Sequence, residues 1–284
     1  MALLESILSA IQHLLPQHLL SRLVHWFMRI RFQAIKNIQI SVIGKLVGED
    51  WSESRLKSAS DFEHFNAFFT RELAPNARKV DPDPLSFISP CDGKISHCGR
   101  ITSDRILQAK GHHYSLHALL GNDPSAREFY NGFFHTIYLA PGDYHRVHMP
   151  MTGRLQRMIH VPGRLFSVAP YTVRQVPDLF ARNERVISLF ETTHGMMAVI
   201  LVGAMLVSSM QTTWSGVVTP PRGRKVITTE WARRKIKLSK GREMGRFNMG
   251  STVILLLPAG AVSLLEDYEP EDIVVMGQKL GRLR

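Results

Sequence analysis

Gly250-Ser251 is the bond in this chain whose residue types could do chemistry on the backbone itself. A serine hydroxyl can attack the carbonyl on its own amino side, and a preceding glycine offers no side chain to obstruct the tetrahedral intermediate. An amide is a poor electrophile, so the attack needs a base for the hydroxyl proton and donors for the developing oxyanion. Taken alone, Gly-Ser-Thr ahead of the apolar run Val253 to Leu257 is an ordinary turn entering a strand. Two other segments supply the missing parts. Asp143-Tyr144-His145-Arg146-Val147-His148 carries two histidines behind an extended apolar stretch, Phe133 to Leu139. In a strand-like or irregular segment His145 and His148 project in different directions, so they need not share one task. Ser89-Pro90-Cys91-Asp92-Gly93 presents the Asp92 carboxylate on a turn framed by proline and glycine. Acid, imidazole and hydroxyl together can activate a nucleophile: the imidazole takes the proton, and the carboxylate fixes its tautomer and stabilises its charge.

The elements that must position these groups read as an α+β protein, with a helical N-terminal segment on a β-rich core. Short apolar runs separated by Gly, Pro and Asn turns predict strands at Phe134–Leu139, Val186–Phe190, Met197–Leu201, Gly216–Thr219 and Val253–Leu257. Lys235 to Ser239 alternates as a half-buried strand does. Before them a helical region extends to about Leu73, where Ser60-Asp61 is the expected cap of an aromatic face made by Phe62, Phe65, Phe68 and Phe69. We therefore expect a helical, membrane-associating segment over 1–73 and a catalytic core over 74–284.

At the amino end Leu4, Ile7, Leu8, Ile11, Leu14 and Leu15 share one helical face, and after Pro16 so do Leu19, Leu20, Leu23, Val24 and Phe27. Proline suits a break between two helices or the first turn of the second. Such a face packs on a core or lies in a membrane interface, and the pattern alone leaves both open; Trp26 and Phe27 beside arginines suit the interface if the substrate is a lipid. Spanning the bilayer is not expected, because His13, Pro16, Gln17, His18 and Arg22 interrupt the pattern and Met196 to Val207 is shorter than the ~20 residues required. Nor is this a secretory signal, since no basic region precedes the leucines and Glu5 sits among them.

Lys and Arg total 35 against 24 Asp and Glu, a formal charge of +11, concentrated between Arg222 and Arg246. Each basic residue near an anionic bilayer contributes about 1 kcal/mol. Nucleic acid is not the expected partner, because no zinc, helix-turn-helix or RNA-binding pattern accompanies the charge. Cys91 and Cys98 give neither a disulfide framework nor a zinc-ribbon spacing, so no metal is expected.

Taken together the segments resemble the phosphatidylserine decarboxylase proenzymes. The similar stretches are Phe68 to Leu73, Ser89 to Gly93, Lys110 to Leu116, Asp143 to Pro150, Pro162 to Val168, Leu179 to Arg185, Val202 to Met205, and Lys240 to Phe247 leading into Gly250-Ser251-Thr252. They follow family order over roughly residues 60 to 260. The resemblance implies a self-cleavage triad of Asp92, His148 and Ser251 acting on the Gly250-Ser251 bond. An acyl shift from nitrogen to oxygen, elimination and loss of ammonia would leave a 1–250 large chain and a 251–284 small chain, the latter capped by a pyruvoyl group made from Ser251. That carbonyl would form a Schiff base with phosphatidylserine and accept the electrons left by carbon dioxide, giving phosphatidylethanolamine without an external cofactor or metal. His145 would sit at the substrate and return the proton to the α-carbon.

The implied partners are phosphatidylserine, an anionic membrane surface and the two cleaved chains for each other, with a homodimer also admitted. The implied location is the cytoplasmic side of the inner cell membrane, as a peripheral protein. Two other classes compete: a pyruvoyl enzyme acting on a soluble amino acid, and a non-enzymatic basic membrane-binding protein. Cys91 and Ser208 depart from the family's usual alanine and glycine, and neither belongs to the implied triad. His112 reads as a structural turn histidine more readily than as a substrate ligand.

Overall fold

The computed structural model describes residues 2–48, 51–109, 111–205, 209–220, 223–248 and 252–284. Gly250, Ser251 and Ser208 lie outside the described residues, as do the side chains of Leu4, Ile7 and Leu8. The architecture is α+β, helices leading into a core of several antiparallel sheets.

Helix α1 (Ala2–Leu14) and helix α2 (Gln17–Phe27) part at Pro16, which lacks the N–H a continuous helix would need. Helix α3 (Gln33–Val47) stops at Gly48, whose φ of 70° suits glycine at a helix C-terminus. Helix α4 (Phe65–Phe69) begins at His64, whose Nδ1 accepts the Ala67 N–H at 2.9 Å. The cap therefore differs from the Ser60-Asp61 expected. Those residues belong to a 3₁₀ turn, Ala59–Asp61, closed on itself by a reciprocal Ser58–Asp61 capping box. Phe62 then leaves that turn extended, with φ −92° and ψ 143°, so the helix starts afresh beyond it. Phe62, Phe65, Phe68 and Phe69 pack with Met28 and Ile40 into one cluster, which ties α4 to the preceding helices.

The first three helices have their polarity reversed relative to a helix lying on a core. Gln12, Gln17, Ser21, Lys36 and Gln39 are buried, whereas Ile11, Leu19, Leu23, Phe27, Phe32, Ile38, Val42 and Leu46 are exposed, Leu14 at 88 % and Trp26 at 68 %. The buried glutamines are used as backbone partners. Gln12 Oε1 accepts the Ser167 N–H and Gln17 Oε1 the Leu165 N–H, both at 2.8 Å. Of the apolar face read in the sequence, Ile11, Leu14, Leu19, Leu23 and Phe27 thus point outward, and polar side chains fasten α1 and α2 to the loop before residue 170. Among the described residues no helix is long and apolar enough to cross a membrane.

The core is a nine-stranded sheet in the order Ile227–Glu230, Gly153–Val161, Arg185–Thr192, Gly195–Val202, Thr252–Leu257, Phe133–Tyr138, Gly93–Arg100 and Ile273–Val274, with Lys237–Leu238 also paired to Gly153–Val161. Every pair is antiparallel. Thr252–Leu257 lies in the interior of this sheet and all its residues are buried. Val253, Leu255 and Leu257 enter the cluster on one face, while Ile254 and Leu256 enter the cluster on the other. A continuous apolar run is what a strand covered on both faces requires. A second sheet joins Gly216–Thr219, Met210–Thr212, Glu243–Phe247 and Arg146–His148. A third pairs Ser86–Ile88 with Lys279–Leu283 and Val262–Leu265. The segment after residue 251 thus supplies two strands of the nine-stranded sheet and two of the three strands of the third, the remaining strands of both coming from the preceding chain.

Candidate active site

Asp92 sits on the turn between the strands Ser86–Ile88 and Gly93–Arg100. Gly93 is required there: a Cβ at that position would lie 2.3 Å from the Tyr138 carbonyl oxygen. The Asp92 carboxylate is buried and receives Arg78 Nε at 3.0 and 3.1 Å and the Met276 N–H at 2.7 Å. Arg78 is held on its other side by Glu53, at 2.7 and 2.8 Å. These two carboxylates raise the guanidinium pKa, Glu53 contributing most, against a smaller opposing effect of burial. Met276 belongs to the last 34 residues, so Asp92 joins the N-terminal region, the core and the C-terminal segment at one point.

His148 ends the strand Arg146–His148, and its N–H reaches the Pro90 carbonyl at 2.7 Å, which places the strand against the Asp92 turn. Its Nδ1 lies 2.9 Å from the Gly241 carbonyl and its Nε2 lies 3.0 Å from Tyr144 Oη. A carbonyl only accepts, so Nδ1 carries the proton, and the Nε2 lone pair accepts the tyrosine O–H. Burial lowers the His148 pKa, while the Gly241 carbonyl, Glu243 and Asp92 act in the other direction. The tautomer is set by the Gly241 carbonyl rather than by the expected hydrogen bond to Asp92, whose oxygens accept from Arg78 and the Met276 N–H. Asp92 reaches His148 through its field. Arg78, Tyr144 and Gly241 are the contributors that sequence reasoning missed. Only Tyr144, one turn of chain from His148 in the same motif, carried a visible signal.

His145 points elsewhere, as its spacing from His148 predicted. It is fully buried and stacked on Phe69 of α4, ring centroids 3.9 Å apart and planes at 16°. Among the described residues neither ring nitrogen has a hydrogen-bond partner. Burial, with a smaller contribution from the Arg71 guanidinium, lowers its pKa to about 3, so the imidazole is neutral. Its carbonyl accepts the Phe247 N–H at 3.0 Å, fixing the histidine beside the end of the strand Glu243–Phe247. Asn248 follows. Its Nδ2 donates to Ser209 Oγ at 2.8 Å, its N–H to the Ser209 carbonyl at 2.8 Å, and its Oδ1 accepts from Asn66 of α4 at 3.0 Å. The described chain resumes at Thr252, paired with Val202 and Tyr138, its buried hydroxyl without a partner among the described residues. Asn248 and Thr252 thus fix the two described ends of the segment that contains Gly250 and Ser251.

Two buried histidines make the fold acid-sensitive. His135 is fully buried with both nitrogens unpartnered, and burial lowers its pKa to about 4. His135 and His145 stay neutral in the folded chain but bind protons near pH 6.5 once unfolded. Their contribution is fully present above that pH and is lost as pH falls toward 4, at about 1.4 kcal/mol per pH unit for each histidine. The urea midpoint should therefore fall steeply between pH 6.5 and 4.5. A midpoint flat across that window would contradict the burial of both rings.

Residues 65–282 match the family described as phosphatidylserine decarboxylase, and residues 7–43 match one described as PSD. The phosphatidylserine decarboxylase proenzyme of Stutzerimonas stutzeri is 49 % identical over 275 residues, 95 % of this chain and 92 % of that protein. The proenzyme of the same description from Alkalilimnicola ehrlichii is 51 % identical over 255 residues, 89 % and 88 % of the two chains. That of Bordetella avium is 48 % identical over 283 residues, 99 % and 96 %. The match runs through the Asp92 turn, both histidines and the strand after residue 251, and the chain belongs to the phosphatidylserine decarboxylase family.

Proposed function

We propose that this chain cuts itself between Gly250 and Ser251, and that the matured pair of chains decarboxylates phosphatidylserine to phosphatidylethanolamine at an anionic membrane surface. One observation carries the reading. The segment entering the Gly250-Ser251 bond is fastened beside His145 by α4, whose buried phenylalanines pack against the preceding helices that carry exposed apolar side chains.

In self-cleavage His148 Nε2 is the base, because its lone pair is available while Nδ1–H is held by Gly241. The Ser251 hydroxyl passes its proton to Nε2 either directly or through Tyr144 Oη, which already lies on that nitrogen. Asp92, kept in place by Arg78, stabilises the imidazolium through its field. The cut leaves 1–250 and 251–284 associated through Thr252–Leu257, inserted between two strands of the longer chain, and through Lys279–Leu283 beside Ser86–Ile88.

A pyruvoyl group at residue 251 supplies a carbonyl that accepts electrons from the substrate amine carbon when carbon dioxide leaves. The surroundings fit such a group: among the described residues the Thr252 hydroxyl and both His145 nitrogens are buried without a partner, and a neutral imidazole can hold or return a proton. Phe69 keeps the ring in one plane and excludes water from that face. The exposed apolar helices favour a lipid over a soluble amino acid and support a peripheral position on a membrane; the cytoplasmic side of the inner membrane is what the family resemblance implies.

Intact mass measurement under denaturing conditions tests the proposal. Two chains split after Gly250 are expected, with the shorter one lacking a free amino terminus and gaining the mass of a lipid amine on borohydride treatment with phosphatidylserine. A pure 284-residue chain that nevertheless released carbon dioxide from phosphatidylserine would refute the self-cleavage step. The membrane reading has its own test. Changing Leu19, Leu23 and Trp26 together to serine should lower partitioning onto anionic vesicles on the order of 1,000-fold, given about 1.5 kcal/mol or more per large apolar side chain, while leaving self-cleavage intact. Unchanged partitioning would show that these side chains do not enter the bilayer.

A further inference from the structure

A cavity of about 530 Å³ lies at the seam between α2 and the core, lined by His18, Arg22, Gly163, Glu184, Pro220 and Arg224 among others. Its size falls in the range of small-molecule sites. The seam is built. His18 Nε2 lies 3.1 Å from the Gly163 carbonyl, and Gly163 is packed so closely that a Cβ there would meet the Arg182 carbonyl oxygen at 2.4 Å. Neighbouring Gln17 accepts the Leu165 N–H. The acid at the wall, Glu184, is fully buried, and its Oε1 is engaged by His160 at 3.0 Å and by the Thr219 hydroxyl at 3.1 Å. Arg22 and Arg224 are exposed, and neither has an ion-pair partner among the described residues. The cavity therefore presents two guanidinium groups in a concave setting whose carboxylate is already occupied.

Two further features indicate what these cations would hold. His18 and Arg22 stand one turn apart on α2, and the adjoining face carries exposed Leu19 and Leu23. A ligand here has its charge at the cavity and its apolar part along the outward face. The cavity is also close to the chemistry. The Glu184 carbonyl accepts the Gly203 N–H at 2.8 Å, and Arg185 pairs with Val202, which pairs with Thr252. Two strand spacings separate Arg185 from Thr252, about 10 Å. In a serine phospholipid four bonds separate the amino nitrogen from phosphorus, about 5 Å at about 1.5 Å per bond. An arginine side chain, charged head on a three-methylene stem, is long enough to span a gap of that size.

We propose that this cavity is the phosphodiester subsite for the lipid substrate, with Arg22 and Arg224 pairing to the phosphate oxygens and setting the distance at which the amine meets residue 251. The assignment rests on the decarboxylase reading above. It makes Arg22 and Arg224 binding residues, separate from the self-cleavage machinery at Asp92 and His148. The ligand chemistry is an oxyanion of phosphorus, which a lipid headgroup and inorganic phosphate share.

The test uses short-chain phosphatidylserine kept monomeric, so that bilayer attraction does not enter. The double variant Arg22→Gln/Arg224→Gln should self-cleave like the parent, and its KM should rise about 30-fold or more with kcat within about threefold, as loss of two charge-assisted contacts predicts. The same lipid is titrated against the uncut Ser251→Ala chain with and without the two arginine changes, followed by calorimetry, which needs no turnover. Weaker binding in the arginine variants supports the subsite even if no carbon dioxide is released, in which case only the decarboxylase reading has failed. Equal KM and equal binding in both pairs would overturn the subsite. Inorganic phosphate displacing the lipid as well as a soluble glycerophosphodiester does would overturn it too, by showing a site for the free anion.

Discussion

Ser251→Ala should give a single 284-residue chain on a denaturing gel and no decarboxylation above background. The substitution removes both the nucleophile and the only source of the carbonyl, so the two losses come together. His148→Ala should also leave the chain largely uncut, slowed by about 10²–10⁴, the usual cost of removing a positioned base. The two variants differ in what a small added base can do. Imidazole in the buffer can enter the space left at His148, whose surroundings open to a cavity beside Trp214 and Gly241, and restore slow cleavage. Nothing added can restore it to Ser251→Ala. Both chains should still fold, because the strand Thr252–Leu257 keeps its partners on both sides and the His148 backbone bond to Pro90 is retained. A Ser251→Ala chain that still separated into two pieces would eliminate Ser251 as nucleophile.

What the sequence could disclose depended on whether a residue's role was local. The strand at Val253–Leu257 was legible because a strand covered on both faces must be apolar at every position, and the run says so without reference to any partner. The divergence of His145 and His148 was legible from their spacing in an extended segment. The apolar faces of α1 and α2 were legible as faces, but periodicity does not say which side meets the protein. That is decided by Gln12 and Gln17, which bond to backbone N–H groups at Ser167 and Leu165, some 150 residues away in sequence. Arg78 lies in a loop with no period at all, and its importance exists only through Glu53 and Asp92. The orientation of His148 by Gly241 escaped notice for a related reason, since a backbone carbonyl has no signature in side-chain types. The helix expected at Ser60-Asp61 was misplaced because serine and aspartate cap a 3₁₀ turn as readily as an α-helix.

His145→Ala should separate the two activities. The chain should still be cut, because His148 and Asp92 are untouched and the Phe247 N–H bond runs to the His145 carbonyl, which alanine keeps. Decarboxylation by the matured protein should fall by about 10²–10⁴, the span associated with losing a positioned proton donor. A purely structural role predicts something else: removing a ring stacked on Phe69 would loosen α4, and Asn66 of the same helix holds Asn248, so cleavage itself would suffer. His145→Phe discriminates between the two, since it restores the stack and the volume without a nitrogen. If that variant is cut at the parent's rate yet remains inactive, the imidazole is needed for proton transfer. The low pKa sharpens the expectation, because a ring neutral at every pH above about 3 in the free protein must acquire its proton only when the substrate carboxylate arrives. The rate should then show no titration of this histidine near pH 6.5 in kcat/KM, which reports the free enzyme. Parent-like turnover by matured His145→Phe would remove His145 from the reaction and leave the proton to another donor.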